Sequence, residues 1–339
     1  MTAKERVLGA LAGARVDRLP VVIPGGMMCA ATQDLVRQSG LAWEAVNREP
    51  RAMASFASQL RETVGLDNVG VPFSMTVEAE ALGSTIELGS PLQPPRVERE
   101  AFPDLPTRPL EWSDGRSRVV VEAVRLVAEE CPDVAVVGNV VGPVSVGAMV
   151  VEPGRFWRAL RRRADEAERF LEEVTGLLIS FARQQVRAGA DVVVISEPSG
   201  TGEILGPVAF ERFVQPNLNA LCQAVGHEGA RSVVHICGQV RSVARLLASL
   251  RADALSVDAI VQVGLVREAG CRLPLMGNLS TFLLDKGPVE AIRRAVESIR
   301  AQGFRVLAPA CGVSGATPLE HLRALVGAAI TSAELQGRR

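Results

Sequence analysis

The stretch "RSVVHICG" (231–238) sets a short apolar, largely β-branched run, Val233, Val234 and Ile236, between two longer segments with helical spacing, 208–228 and 239–249. A run of this length flanked by helix-like sequence reads as a strand of a parallel sheet, where helices cover the faces. Seven further runs extend the pattern along the chain. They are "LPVVIPG" (19–25), "LDNVGVPF" (66–73), "VAVVGNVVG" (134–142), "ADVVVISEP" (190–198), "ADALSVDAI" (252–260), "LPLMGNLS" (273–280) and "FRVLAPACG" (304–312). Helix-like stretches separate them at 43–64, 117–130, 155–188, 208–228, 239–249 and 286–302. A last one, 317–335, closes the chain, with Thr317 as its N-cap, Pro318 at the first helical position and Glu320 in the first turn.

Eight runs in β-then-α order predict an α/β fold of the (β/α)8 TIM-barrel type, since a doubly wound sheet usually has roughly five to seven strands. The first run ends in "PGGMMCAAT" and lacks the G-x-G-x-x-G of a dinucleotide fold. The whole chain, 1–339, reads as a single barrel domain. Within it, 74–112 has short alternating pieces and a proline-rich exit, and reads as a hairpin or loop insertion after the second strand that covers the barrel mouth.

With 37 basic and 38 acidic residues the chain is close to neutral, which argues against a nucleic-acid binder. Its basic knot, "RALRRRADEAER" (158–169), carries its own acids and reads as a solvated helix face. No stretch approaches the roughly 18–20 uncharged apolar residues of a membrane span, and the N-terminus does not read as a signal peptide. The expectation is a cytoplasmic protein that binds neither nucleic acid nor membrane. Its six cysteines then point to metal binding, catalysis or burial, not to a disulfide scaffold.

In a barrel the chemistry sits at the C-terminal ends of the strands. The polar residues there are Asn139, Glu197, His235 with Cys237, Asp258, Asn278 and Cys311. His235 and Cys237 lie one residue apart, so a strand points both to one face, and Gly238 lets the backbone turn away above them. Imidazole and thiolate both suit Zn²⁺, and Cys311, also followed by glycine at a strand end, is the candidate third ligand, which leaves one position open as in catalytic zinc sites. The same pattern fits a buried, hydrogen-bonded histidine beside core cysteines. Glu197 and Asp258 are candidates for catalytic or ligand-orienting roles, or for helix caps. Glu78 and Glu80 stand two apart in an apolar stretch, and Glu78 is a candidate substrate contact, as are the amides of Asn139 and Asn278. Cys29, Cys131, Cys222 and Cys271 read as packing residues, with Cys29 nearest the mouth.

Together, "HICG" and "LAPACGV", with "GVPFSMTVEAEALGSTIELG", "VVGNVVGPVSVG", "SEPSGTGEILGPVAFERFVQPNL" and "GNLSTFLLDKGPVEAI", resemble the uroporphyrinogen decarboxylase superfamily over about residues 3–330. The resemblance is to its zinc-dependent methylcorrinoid methyltransferases of the coenzyme M type. It implies a (β/α)8 barrel and zinc on His235, Cys237 and Cys311. It also implies methyl transfer from a methylated corrinoid, supplied by a small partner protein, to a thiol or tetrahydrofolate acceptor. A demethylase that methylates the corrinoid from a methoxyl or methylamine donor, and a non-catalytic ligand-binding barrel, are the alternative readings. Three positions depart from the pattern of these relatives: "IPGGMMCAATQDL" stands where decarboxylases carry an arginine motif, Ala310 replaces the glycine of a "PGCG" segment, and Glu197 replaces an aspartate.

Overall fold

The computed structural model describes residues 1–337 and places strands in seven of the eight runs. These are β1 (Asn68–Gly70), β4 (Ala135–Val141), β5 (Val192–Ser196), β6 (Arg231–Ile236), β7 (Ala254–Val257), β8 (Leu275–Leu279) and β9 (Val306–Pro309). They form one all-parallel sheet in the order β1-β4-β5-β6-β7-β8-β9. β2 (Thr85–Glu87) and β3 (Arg96–Arg99) pair antiparallel as a separate hairpin within 74–112, which also holds a short helix, Val77–Ala81.

The run at 19–25 makes one bridge to the sheet, Val21 to Leu307, and a local one, Gly25 to Met28, where a full ladder strand was expected. Prolines 20 and 24 bracket it and offer no N–H to a ladder. What backbone remains touches both edges of the sheet. Val22 N–H donates to the Leu307 carbonyl (2.9 Å) and Leu307 N–H to Pro20 (2.9 Å), while Asp67 N–H donates to Val21 (3.0 Å). On the β1 side the Asn68 side chain completes the pairing. Its amide accepts from Ile23 N–H and donates to the Ile23 carbonyl, both at 2.9 Å, as a neighbouring strand would.

Side-chain alternation divides the strands between two environments. Residues on one face, including Val136, Val193, Ile195, Val234 and Leu255, pack with the helices in the larger core. Those on the other face, Ala135, Val137, Val192, Val194, Val233, Ala254, Met276 and Val306, form a smaller core. Val7, Ala10 and Leu11 of an N-terminal helix, Ala3–Leu11, belong to that smaller core; the strand pattern did not anticipate this helix. Its Thr2–Glu5 capping box fixes its start.

Continuing along that second face toward the strand C-termini, the apolar positions give way to Asn139, Ser196, His235, Ser256 and Asn278, all buried. His235 therefore follows Val233 into the polar end of the smaller core.

Several helices are shorter than their sequence segments. The stretch 43–64 splits into Trp43–Arg48 and Pro50–Val64 because Glu49, preceding a proline, is extended. The stretch 155–188 splits into Pro153–Arg162 and Ala164–Arg187, and 208–228 contains a π-helical turn, Phe210–Val214. The last helix begins at Leu319, one residue after the expected first position, and Thr317 Oγ1 is buried without a hydrogen-bond partner, so the expected cap bond is not made.

Candidate active site

His235, Cys237 and Cys311 come together at the polar end of the smaller core, with one ligand-type atom from each lying within 4.8 Å of the others. β6 supplies the first two and the residues just past β9 supply the third. His235 is fully buried, and the two thiols are half-buried.

The His235 ring is oriented by a residue with no signal of its own in the sequence. Its Nδ1 lies 3.0 Å from Ser256 Oγ on the adjacent strand, and Ser256 Oγ in turn donates to Met28 Sδ at 3.8 Å. With the serine proton directed at sulfur, Oγ accepts from Nδ1–H. That tautomer leaves a lone pair on Nε2, which is buried and has no hydrogen-bond partner. An orphaned imidazole nitrogen in a cluster with two thiols is costly unless something fills it, and a metal ion is a group of the right chemistry to do so.

The thiols are unequal. Cys311 is pulled down to about 5, first by the hydrogen bond from Cys237 and, against the penalty of burial, in part by the Gly312 N–H. Cys237 is pushed up because it donates that bond, is partly buried and faces the Cys311 charge. Cys311 is thus favoured as the thiolate of the pair. Two sulfurs and one imidazole are a borderline-soft donor set that fits Zn²⁺.

Gly238, in a left-handed conformation (φ +74°), turns the chain away after Cys237. Its N–H donates to Asp258 Oδ2 at 3.0 Å, and Asp258 Oδ1 accepts from Ile260 N–H at 3.1 Å. The Asn278 amide donates to the Asp258 carbonyl (3.0 Å) and reaches that of Val261 (3.5 Å). Asp258 and Asn278 therefore brace the loop that carries Gly238, one residue from a thiol.

The remaining candidates are drawn into backbone support around the end of β4. Glu197 accepts from Val144 N–H and Ser145 N–H, both at 2.9 Å, and from the Ser145 hydroxyl, at the start of the helix Pro143–Val150. Glu78 accepts from Val141 N–H at 2.8 Å. Burial pushes both carboxyls up to about 7, against these donors. Asn139 donates to the Pro24 (2.8 Å) and Val71 (2.9 Å) carbonyls, so its amide protons are committed to backbone. Glu80 pairs with Arg116 and Arg48, and Arg116, which the sequence reading passed over, also donates to Thr76 Oγ1 at 2.7 Å.

Beside Gly312 opens a cavity of about 560 Å³ whose walls include Cys29 and the hairpin residues Pro91, Leu92, Pro94 and Pro95.

The profile of the uroporphyrinogen decarboxylase (URO-D) family matches residues 2–331. The chain belongs to that family. A methylcobamide:CoM methyltransferase of Methanosarcina barkeri is 33% identical over 96% of this chain and 97% of its own length. One from Methanosarcina acetivorans is 25% identical over 96% of each. A solved methyltransferase from Methanosarcina mazei superposes with a TM-score of 0.87 at 32% identity, covering 98% of this chain and 99% of its own. Within the uroporphyrinogen decarboxylase family the chain stands on the methylcorrinoid-dependent methyltransferase branch. No helix among the described residues is long and apolar enough to cross a membrane.

Proposed function

We propose that the protein transfers the methyl group of a methylated corrinoid, presented by a partner protein, to a thiol, using Zn²⁺ held by His235, Cys237 and Cys311. The observation that carries this reading is the buried, unpartnered Nε2 of His235 in a cluster whose ligand-type atoms, one each from His235, Cys237 and Cys311, lie within 4.8 Å of one another. The coenzyme M named for the relatives in Methanosarcina favours a thiol over tetrahydrofolate as acceptor. In this reading the segment Pro20–Ile23 takes the eighth strand position of a (β/α)8 barrel, and 74–112 covers its mouth.

When bound, zinc lowers the pKa of a thiol that ligates it and so supplies a thiolate at neutral pH. The chain's own residues do the positioning. Ser256 and Met28 hold His235 in the tautomer that presents Nε2. Asp258 and Asn278 hold the turn at Gly238, and with it the direction of Cys237. Glu197 anchors the helix Pro143–Val150 beneath the mouth, and Glu78 secures the end of β4. The acceptor sulfur would attack the methyl carbon, forming the S–CH3 bond. The methylated corrinoid would supply the methyl group, its C–Co bond breaking with the electron pair left on cobalt (+3 to +1), and the thiol proton would be released to solvent.

Leu92 and Phe282 are 51% and 76% exposed, and both border the cavity beside Gly312, an apolar rim that suits a partner docking there. The test is a methylcobalamin assay with thiol and tetrahydrofolate acceptors, on wild type and Cys311→Ser. Zinc-dependent transfer to a thiol, lost in the variant, supports the reading. Transfer to tetrahydrofolate alone, corrinoid methylation from a methoxyl or methylamine donor alone, or no methyl transfer at all would replace it with one of the three rivals.

A further inference from the structure

The cavity beside Gly312 is walled by Met27, Trp43, Phe73, Met75, Leu92 and Phe282. Trp43 spends its indole N–H on the Leu88 carbonyl (2.9 Å), which leaves the ring to act as an apolar wall. Cys29, also in the wall, accepts at its carbonyl from Val313 N–H at 3.0 Å, two residues past Cys311, so the cavity adjoins the segment that carries the third ligand candidate. The charged residue in its lining is Asp285, and among the described residues no lysine or arginine joins it there. Asp285 Oδ2 lies 3.3 Å from the exposed Lys286 Nζ, while Oδ1 is buried without a hydrogen-bond partner.

The cation nearest in the hydrogen-bond network does not serve the cavity. Arg116 reaches Ser74, a wall residue, at 3.3 Å, but its side chain is buried behind Ser74 and its charge is answered by Glu80. An anionic arm placed here would lose its hydration, gain no cation and face a carboxylate. An uncharged hydrocarbon arm would gain by burial against the aromatic and methionine walls.

Building on the methyl-transfer reading, we propose that the acceptor thiol carries an uncharged, apolar arm that lies in this cavity, with its sulfur directed past Gly312 toward Cys311. Asp285 acts against anionic arms. The balanced step is RSH plus methyl-cobalt(III) giving RSCH3, cobalt(I) and a proton.

Two measurements on the full-length protein as purified test the proposal and keep it separable from the reaction itself. The first is calorimetric titration with two thioethers, benzyl methyl sulfide and 2-(methylthio)ethanesulfonate, which bind through their arms and undergo no transfer. The second is kcat/KM for benzyl mercaptan against 2-mercaptoethanesulfonate, with methylcobalamin as donor. The expected result is at least a ten-fold preference for the apolar arm in both. Asp285→Asn should narrow it and Asp285→Lys narrow it further, by lowering KM for the sulfonate. Equal binding of the two thioethers, or tighter binding of the sulfonate, would overturn the proposal even if methyl transfer proceeds. A ten-fold binding preference without transfer to any thiol would overturn the methyl-transfer reading and uphold the selectivity of the cavity.

Discussion

His235 Nδ1 and Ser256 Oγ meet at 3.0 Å across β6 and β7, which pair these two residues in register. The strand register thus chooses the nitrogen that faces the cysteines. Ser256→Ala removes the acceptor that fixes the tautomer, and zinc affinity should fall about 10–100-fold. Competition against a chromophoric chelator measures this, and Ser256→Thr should restore most of the affinity. Unchanged affinity in Ser256→Ala would mean that the cysteines alone set the ring.

Gly238 follows Cys237 with φ at +74°, and a Cβ there would find only ordinary contacts, the closest at 3.4 Å. Gly238→Ala therefore costs backbone strain and not a clash, about 1–2 kcal/mol. Urea melts should show that loss. A larger loss would show that the Asp258 bond to the Gly238 N–H had broken as well.

The buried Glu78 carboxyl has an ordinary value of 4.5 and sits at about 7 in the fold. A raised carboxyl keeps its proton in the folded chain while the unfolded chain has lost it, so stability falls as pH rises from about 4.5 to about 7 and then levels. Glu78→Gln removes this dependence. Its stability relative to wild type should improve between pH 5 and pH 8, by at most about 3 kcal/mol. Parallel stability curves for the two proteins would show that Glu78 is ionised in the fold throughout.

Much of this was legible in the sequence because alternation is a local signal. Val233, His235 and Cys237 share parity, and that parity carried His235 from an apolar strand to a polar strand end. Cys311 could be added because it too closes an apolar run. The run at 19–25 was misjudged as a full strand because composition hides the donors that Pro20 and Pro24 remove, and the Asn68 side chain that stands in for a strand is visible only in three dimensions. Ser256 gave no signal in "ADALSVDAI", since its role depends on cross-strand register. Glu197 reads from the sequence as a catalytic or capping candidate, and Glu78 and Asn139 as candidate substrate contacts; in the fold all three hydrogen-bond to backbone. Their hydrogen bonds run to backbone segments up to 115 residues away, a relation that no local pattern encodes.

The central claim is tested most directly by metal content, measured by elemental analysis on wild type, Cys237→Ala and Cys311→Ala purified alike. The account predicts about one zinc per chain in wild type, the stoichiometry of a three-ligand catalytic site, and its loss in both variants. Wild-type protein that holds no zinc even after titration, or variants that keep it in full, would contradict the account and return His235 to the core as a buried histidine.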